Sequence, residues 1–230
     1  PKTPPPVSYW NFEPRSVTVF SHASKPLAKS SKSWQTKPNG ILVKRELRSG
    51  EQDQFFDVGG RRILMMGKER GGIAEVWCHP VRILKDIRVG FKIDKGETVW
   101  SNSLNPQVVL EPESLTRVYH IGESLVEEVV FSDTRKPVAG IHFRIDSKQP
   151  VEILVTAVMD LRMMWPLSDN ATGSLRFAWD KNLRAAVVTN GSGNLVSVIG
   201  SSLEPTEQIV GAYDAIEEAF GRFAGKNTAA

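Results

Sequence analysis

From Ile41 onward, apolar residues gather into short runs separated by Gly, Pro, Asn, Asp and Ser. That punctuation predicts strands joined by turns. Runs at Phe55 to Val58, Arg62 to Met66 and Ile73 to His79 lead into a longer one at Arg82 to Ile93. Gly59-Gly60 and Gly71-Gly72 supply turns between the early runs, suggesting hairpins. Leu115 to Ile121, the turn Gly122-Glu123-Ser124 and Leu125 to Phe131 read as strand, turn and strand. Ile141, Phe143 and Ile145 then alternate with His142 and Arg144 at the two-residue period of a half-buried strand. Val151, Ile153, Val155 and Ala157 repeat the alternation, so the four runs are expected to form one antiparallel meander with a single face on the core.

Further runs follow at Leu175 to Trp179, Arg184 to Thr189 and Leu195 to Ile199, with Asn190-Gly191-Ser192-Gly193 as a hairpin loop. After Pro205 the period changes. Ile209, Tyr213, Ile216, Ala219 and Phe220 fall near helical spacing, with Glu207, Asp214, Glu217 and Glu218 on the other side. Many short strands without intervening helices predict an all-β fold, an antiparallel sandwich closed by a short C-terminal helix. The expected division is an extended leader over 1–6, a β domain over 7–205, and a linker helix and tail over 206–230.

Composition changes this picture little. Hydrophobic residues make up 40% of the 230 and charged residues 24%, enough apolar material for a core. The net charge is +3 and the pI is near 9.0. Lys and Arg are nevertheless interspersed with Asp and Glu, which argues against a nucleic-acid surface. No apolar stretch approaches the roughly 18 residues of a membrane span. Cys78 stands alone, excluding an internal disulfide framework and a cysteine-based zinc site. The Pro-rich start without Met raises the expectation of an exported, periplasmic or secreted protein, with a cytoplasmic one as the alternative.

Candidate chemistry is sparse. His22, His79, His120 and His142 make no spacing that places two metal ligands on one element, so neither a metal site nor a cofactor is expected. His120 and His142 are positioned to meet across the meander, where solvated facing positions are the simpler reading. Gly-rich turns lie between strands rather than at a helix start, and there is no G-x-S-x-G elbow. Glu127 and Glu128 form the obvious carboxylate pair, yet neighbours on a strand point to opposite faces and cannot converge on one bond. They read as solvated or edge charges. Of the six tryptophans, Trp77 and Trp179 lie in strand patterns and read as structural. Trp165 follows a strand end, and with Trp10 is a candidate for stacking on a sugar ring.

The stretches Ala74-Glu-Val-Trp-Cys-His79-Pro80, Arg117-Val-Tyr-His-Ile-Gly-Glu-Ser-Leu-Val-Glu-Glu-Val-Val-Phe131, Lys136-Pro137 and Asp160-Leu-Arg-Met-Met-Trp-Pro166 carry a resemblance. Over about Gly72 to Gly200 the chain resembles the N-terminal supersandwich domain, galactose-mutarotase-like in fold, of bacterial glycoside hydrolases of the glycogen-debranching type. The resemblance implies a non-catalytic sandwich that braces a following (α/α)6 catalytic barrel of the same polypeptide. The glycan would be an α-glucan or a related oligo- or polysaccharide, and Glu207 to Phe223 would be the linker. The loop at Pro166, after Met163-Met164, is the expected region nearest the barrel. Such a family keeps its general acid and base on the barrel, so no catalytic residue carries over. Two alternatives stay open: an aldose mutarotase-like enzyme using His120 or His142 with Glu127 or Glu128, and a stand-alone carbohydrate-binding module using Trp165 and Trp10.

Overall fold

The computed structural model describes residues 15–22, 43–46, 54–111, 113–165 and 174–211, the first two segments by their backbone. Within them the chain is an all-β antiparallel sandwich of sixteen strands. β1 (Arg15–His22), β2 (Val43–Glu46), β3 (Phe55–Gly59), β4 (Leu64–Lys68), β5 (Ile73–Cys78), β6 (Val81–Ile93) and β7 (Val99–Trp100) come first. They are followed by β8 (Gln107–Glu111), β9 (Ser114–Ile121), β10 (Ser124–Ser132), β11 (Ala139–Asp146) and β12 (Val151–Met163). Last are β13 (Leu175–Asp180), β14 (Ala185–Asn190), β15 (Val196–Gly200) and β16 (Glu207–Gly211).

The long sheet runs β16-β1-β12-β6-β5-β4-β3, with β7 beside β6. A five-stranded sheet, β11-β10-β9-β8-β2, and a three-stranded sheet, β13-β14-β15, complete the fold. One apolar cluster joins all three: Met65, Val76 and Leu84 of the long sheet pack with Leu115 and Val130 of the second and with Ala186 and Val188 of the third. A smaller cluster sits under β9 to β11, where Phe91 lies 5.4 Å from the Tyr119 ring and 6.2 Å, edge-on, from Phe143.

Two expectations are corrected. The meander holds for β9, β10 and β11, but β12 leaves it for the long sheet, between β1 and β6. The reason is visible in burial. On β11 the apolar residues alternate with exposed His142, Arg144 and Asp146, as suits an edge strand with one wet face. On β12 both faces are covered, since Leu154 and Val158 are as deeply buried as Ile153 and Ala157. The second correction concerns the terminal helix: Glu207–Gly211 is a strand paired with β1, not the first turn of a helix. The rest of the expected linker, 212–230, lies outside the described residues, as do the leader 1–6, Trp10 and the loop at Pro166.

Candidate functional site

The adjacent glutamates of β10 have opposite fates. Glu127 sits on the outer face beside Arg144, which donates to it at 2.8 Å. Glu128 points inward and is fully buried, which corrects its reading as a solvated or edge charge; β10 is also an interior strand, flanked by β9 and β11. Arg117, directly opposite Glu128 on β9, donates to Oε1 at 3.0 Å, and the Tyr119 hydroxyl donates to Oε2 at 2.8 Å. The Arg117 Nε–H reaches the Glu69 carbonyl at 2.7 Å, and its Nη2 N–H groups reach those of Lys68 and Gly72 at 2.7 and 3.0 Å. The guanidinium also lies over the Phe56 ring. This assembly bolts the five-stranded sheet to the β4–β5 turn, and it explains how a buried ion pair survives: both carboxylate oxygens and four of the guanidinium N–H groups have directed hydrogen bonds. Burial, and then the Glu128 charge, push the Tyr119 hydroxyl well above its usual range.

His120 and His142 share the outer face with Glu127 but do not meet. His120 pairs with Leu125 and His142 with Val129, on strands either side of β10. Four residues of β10 separate those rows, about 14 Å along the strand. Both imidazoles are exposed. The four mutarotase-like candidates are thus divided between two faces, and Glu128 has both oxygens engaged.

A polar cluster that sequence reasoning missed lies on the far side of the long sheet. An extra residue on β6 opposite Val76 and Trp77 lets Ile83 and Leu84 both serve the core and turns Arg82 to the other face. There Arg82 donates to Glu75 at 2.7 Å and to Asp160 at 2.7 Å, beneath the Trp77 ring. Burial favours the neutral Glu75 carboxyl, but the Trp77 indole N–H and Arg82 outweigh it and hold the group below its ordinary value. These groups satisfy one another and act as a structural knot. The signal was the i, i+2 pair Glu75 and Trp77, but its partner Asp160 is supplied by β12, far along the chain. Trp165 stands just past β12, where the Met164 N–H bonds the Pro80 carbonyl at 2.8 Å, and its side chain is 70% exposed.

A groove of 780 Å³ lies among the described residues, between the ends of the two smaller sheets. Its floor is the inner face of β4, β5, β6 and β12, including Met65, Val76, Leu84 and Val155. β11 forms one wall, and β15 with the loop to Glu204 forms the other. Val138, Val196, Val198 and Leu203 on its rim are all more than half exposed or at half exposure, at 52, 56, 50 and 55%. These half-exposed apolar side chains flank an apolar floor, with exposed His142 and Glu204 also in the lining. Among the described residues no group of His, Cys, Asp and Glu could hold a metal ion, and no helix is long and apolar enough to cross a membrane. Compared with known proteins, the chain matches no family model, no curated protein and no solved structure.

Proposed function

We propose that the chain is a non-catalytic β-sandwich module that docks to a neighbouring domain within a carbohydrate-active protein, a glycoside hydrolase acting on α-glucan or a related glycan. The groove between β11 and β15 carries the docking half of this reading, because Val138, Val196, Val198 and Leu203 stand half-exposed together around its apolar floor. The carbohydrate half rests on the resemblance over about Gly72 to Gly200, and its partner would be an (α/α)6 catalytic barrel. The test joins the chain to that barrel in the parent polypeptide: Val196→Lys with Val198→Lys is expected to release the barrel to limited proteolysis and to lower α-glucan hydrolysis. Unchanged proteolysis and unchanged hydrolysis would remove the docking reading.

The exposure of Trp165 favours a second reading, direct sugar contact by a binding module. Titration with malto-oligosaccharides is then expected to quench tryptophan fluorescence, and Trp165→Ala to abolish the quench. A flat response at millimolar sugar counts against it. The mutarotase alternative predicts faster anomer exchange that His120→Ala or His142→Ala abolishes; no acceleration by the intact chain ends it.

A further inference from the structure

The two smaller sheets both stop at the groove. β11 is the last strand of one and β15 the last of the other, and among the described strands neither has a neighbour on that side. Consecutive residues of each strand, 139–143 and 196–200, line the groove. Successive side chains of a strand point to opposite faces, so a groove touched by every residue wraps around the strand edge and receives its backbone N–H and C=O groups.

The two edges differ. β11 carries the charges of Arg144 and Asp146 beside the polar His142, side chains of the kind that discourage a further strand. β15, Val-Ser-Val-Ile-Gly, has no charge and no proline, and Val196 and Val198 are exposed on it. Among the described residues its outer row of backbone groups has no strand partner and is open to pairing. An acyl chain or a helix laid in the groove would bury those groups without hydrogen bonds, at a cost a strand avoids. A folded second copy does not fit, because its own β15 brings β14 along on one side, while the slot has β11 as its far wall.

We propose that the groove is a strand-acceptor site. It takes an extended peptide segment of a partner domain that pairs with the β15 edge and sets alternate apolar side chains on the half-buried floor residues Ile83 and Val155, against the β11 wall. The inserted strand closes the seam between the two smaller sheets. This inference rests on the docking half of the proposed function and is independent of the glycan.

The experiment uses the full chain and an acetylated, amidated nine-residue peptide in which Val and Ile alternate with Thr and Lys. Three comparisons accompany it: the same peptide N-methylated at alternate residues on the side that meets β15, palmitate, and the Val196→Lys, Val198→Lys chain. Hydrogen exchange read by mass spectrometry is expected to slow at least tenfold over 196–200 with the plain peptide. The N-methylated peptide and the double-lysine chain should each bind at least tenfold more weakly. Equal binding of both peptides overturns the proposal, as does palmitate binding that the plain peptide neither matches nor displaces. Protection of 196–200 in the peptide-free chain that vanishes when 212–230 is deleted overturns it in favour of an internal occupant, and concentration-dependent protection overturns it in favour of a second copy. Barrel binding that persists while the peptide fails overturns strand insertion alone and leaves docking by another surface.

Discussion

Arg117 and Glu128 are both sealed from water, so neither can lose its partner without leaving a bare charge in the core. Glu128→Gln is expected to cost about 3–5 kcal/mol in urea unfolding, and Arg117→Met combined with Glu128→Leu should recover much of that loss. A smaller or absent recovery would show that the bonds to the Lys68, Glu69 and Gly72 carbonyls matter more than the charges. Tyr119 adds a pH dependence. Burial raises its folded pKa well above the ordinary tyrosine value of about 10, so its stabilising effect is complete below that ordinary value and is lost as pH climbs above it. Stability measured by denaturant should therefore fall above about pH 10, and Tyr119→Phe should flatten the fall. The opposite orientation of Glu127 and Glu128 was legible in the sequence, since it follows from strand geometry alone. The depth of Glu128 was not: it depends on a turn at 68–72 that the chain supplies far earlier, and on Arg117 lying directly opposite.

Strands and turns were the most legible level, because alternation and glycine punctuation act locally. Gly60 shows how a turn signal also encodes contact. A Cβ there would fall 2.0 Å from the Asp133 carbonyl oxygen, so the β3–β4 turn touches the loop after β10 through bare backbone. Gly60→Ala is expected to destabilise by about 1–3 kcal/mol, read as a lower urea midpoint at unchanged slope. Asp133 itself is held below its usual carboxyl range by the backbone N–H groups of Lys136 and Arg135, a local device that orders the same loop. Which sheet a strand joins was harder to read. β11 and β12 share the alternating residues the sequence shows, and it is the adjacent buried residues of β12, Ile153 with Leu154 and then Val158 with Met159, that reveal a strand covered on two faces. Helical spacing after Pro205 misled at 207–211 because five residues fit a period of two as well as one of 3.6; the presence of β1 as a pairing partner decides the matter.

At the scale of the whole molecule, β1 holds β16 to the rest of the long sheet, pairing with β12 on one side and β16 on the other. Val17 lies opposite both Thr156 and Ile209, so Val17→Pro removes a ladder donor from an interior strand. The expected cost is about 1–3 kcal/mol, with one cooperative transition in both near- and far-ultraviolet dichroism; two separated transitions would show that β1 and β16 form a unit of their own. The groove, by contrast, was invisible to sequence reasoning, because it arises from where two sheets end rather than from any motif. The pairing of β1 with β16 has a mechanical side as well. Arg15 faces Gly211, so the points where the chain enters and leaves the described fold lie together at one end of an antiparallel pair. Tension applied across them peels the ladder open one rung at a time instead of shearing all rungs at once, which makes this corner the soft spot under load and the rest of the sandwich a bystander until it has opened.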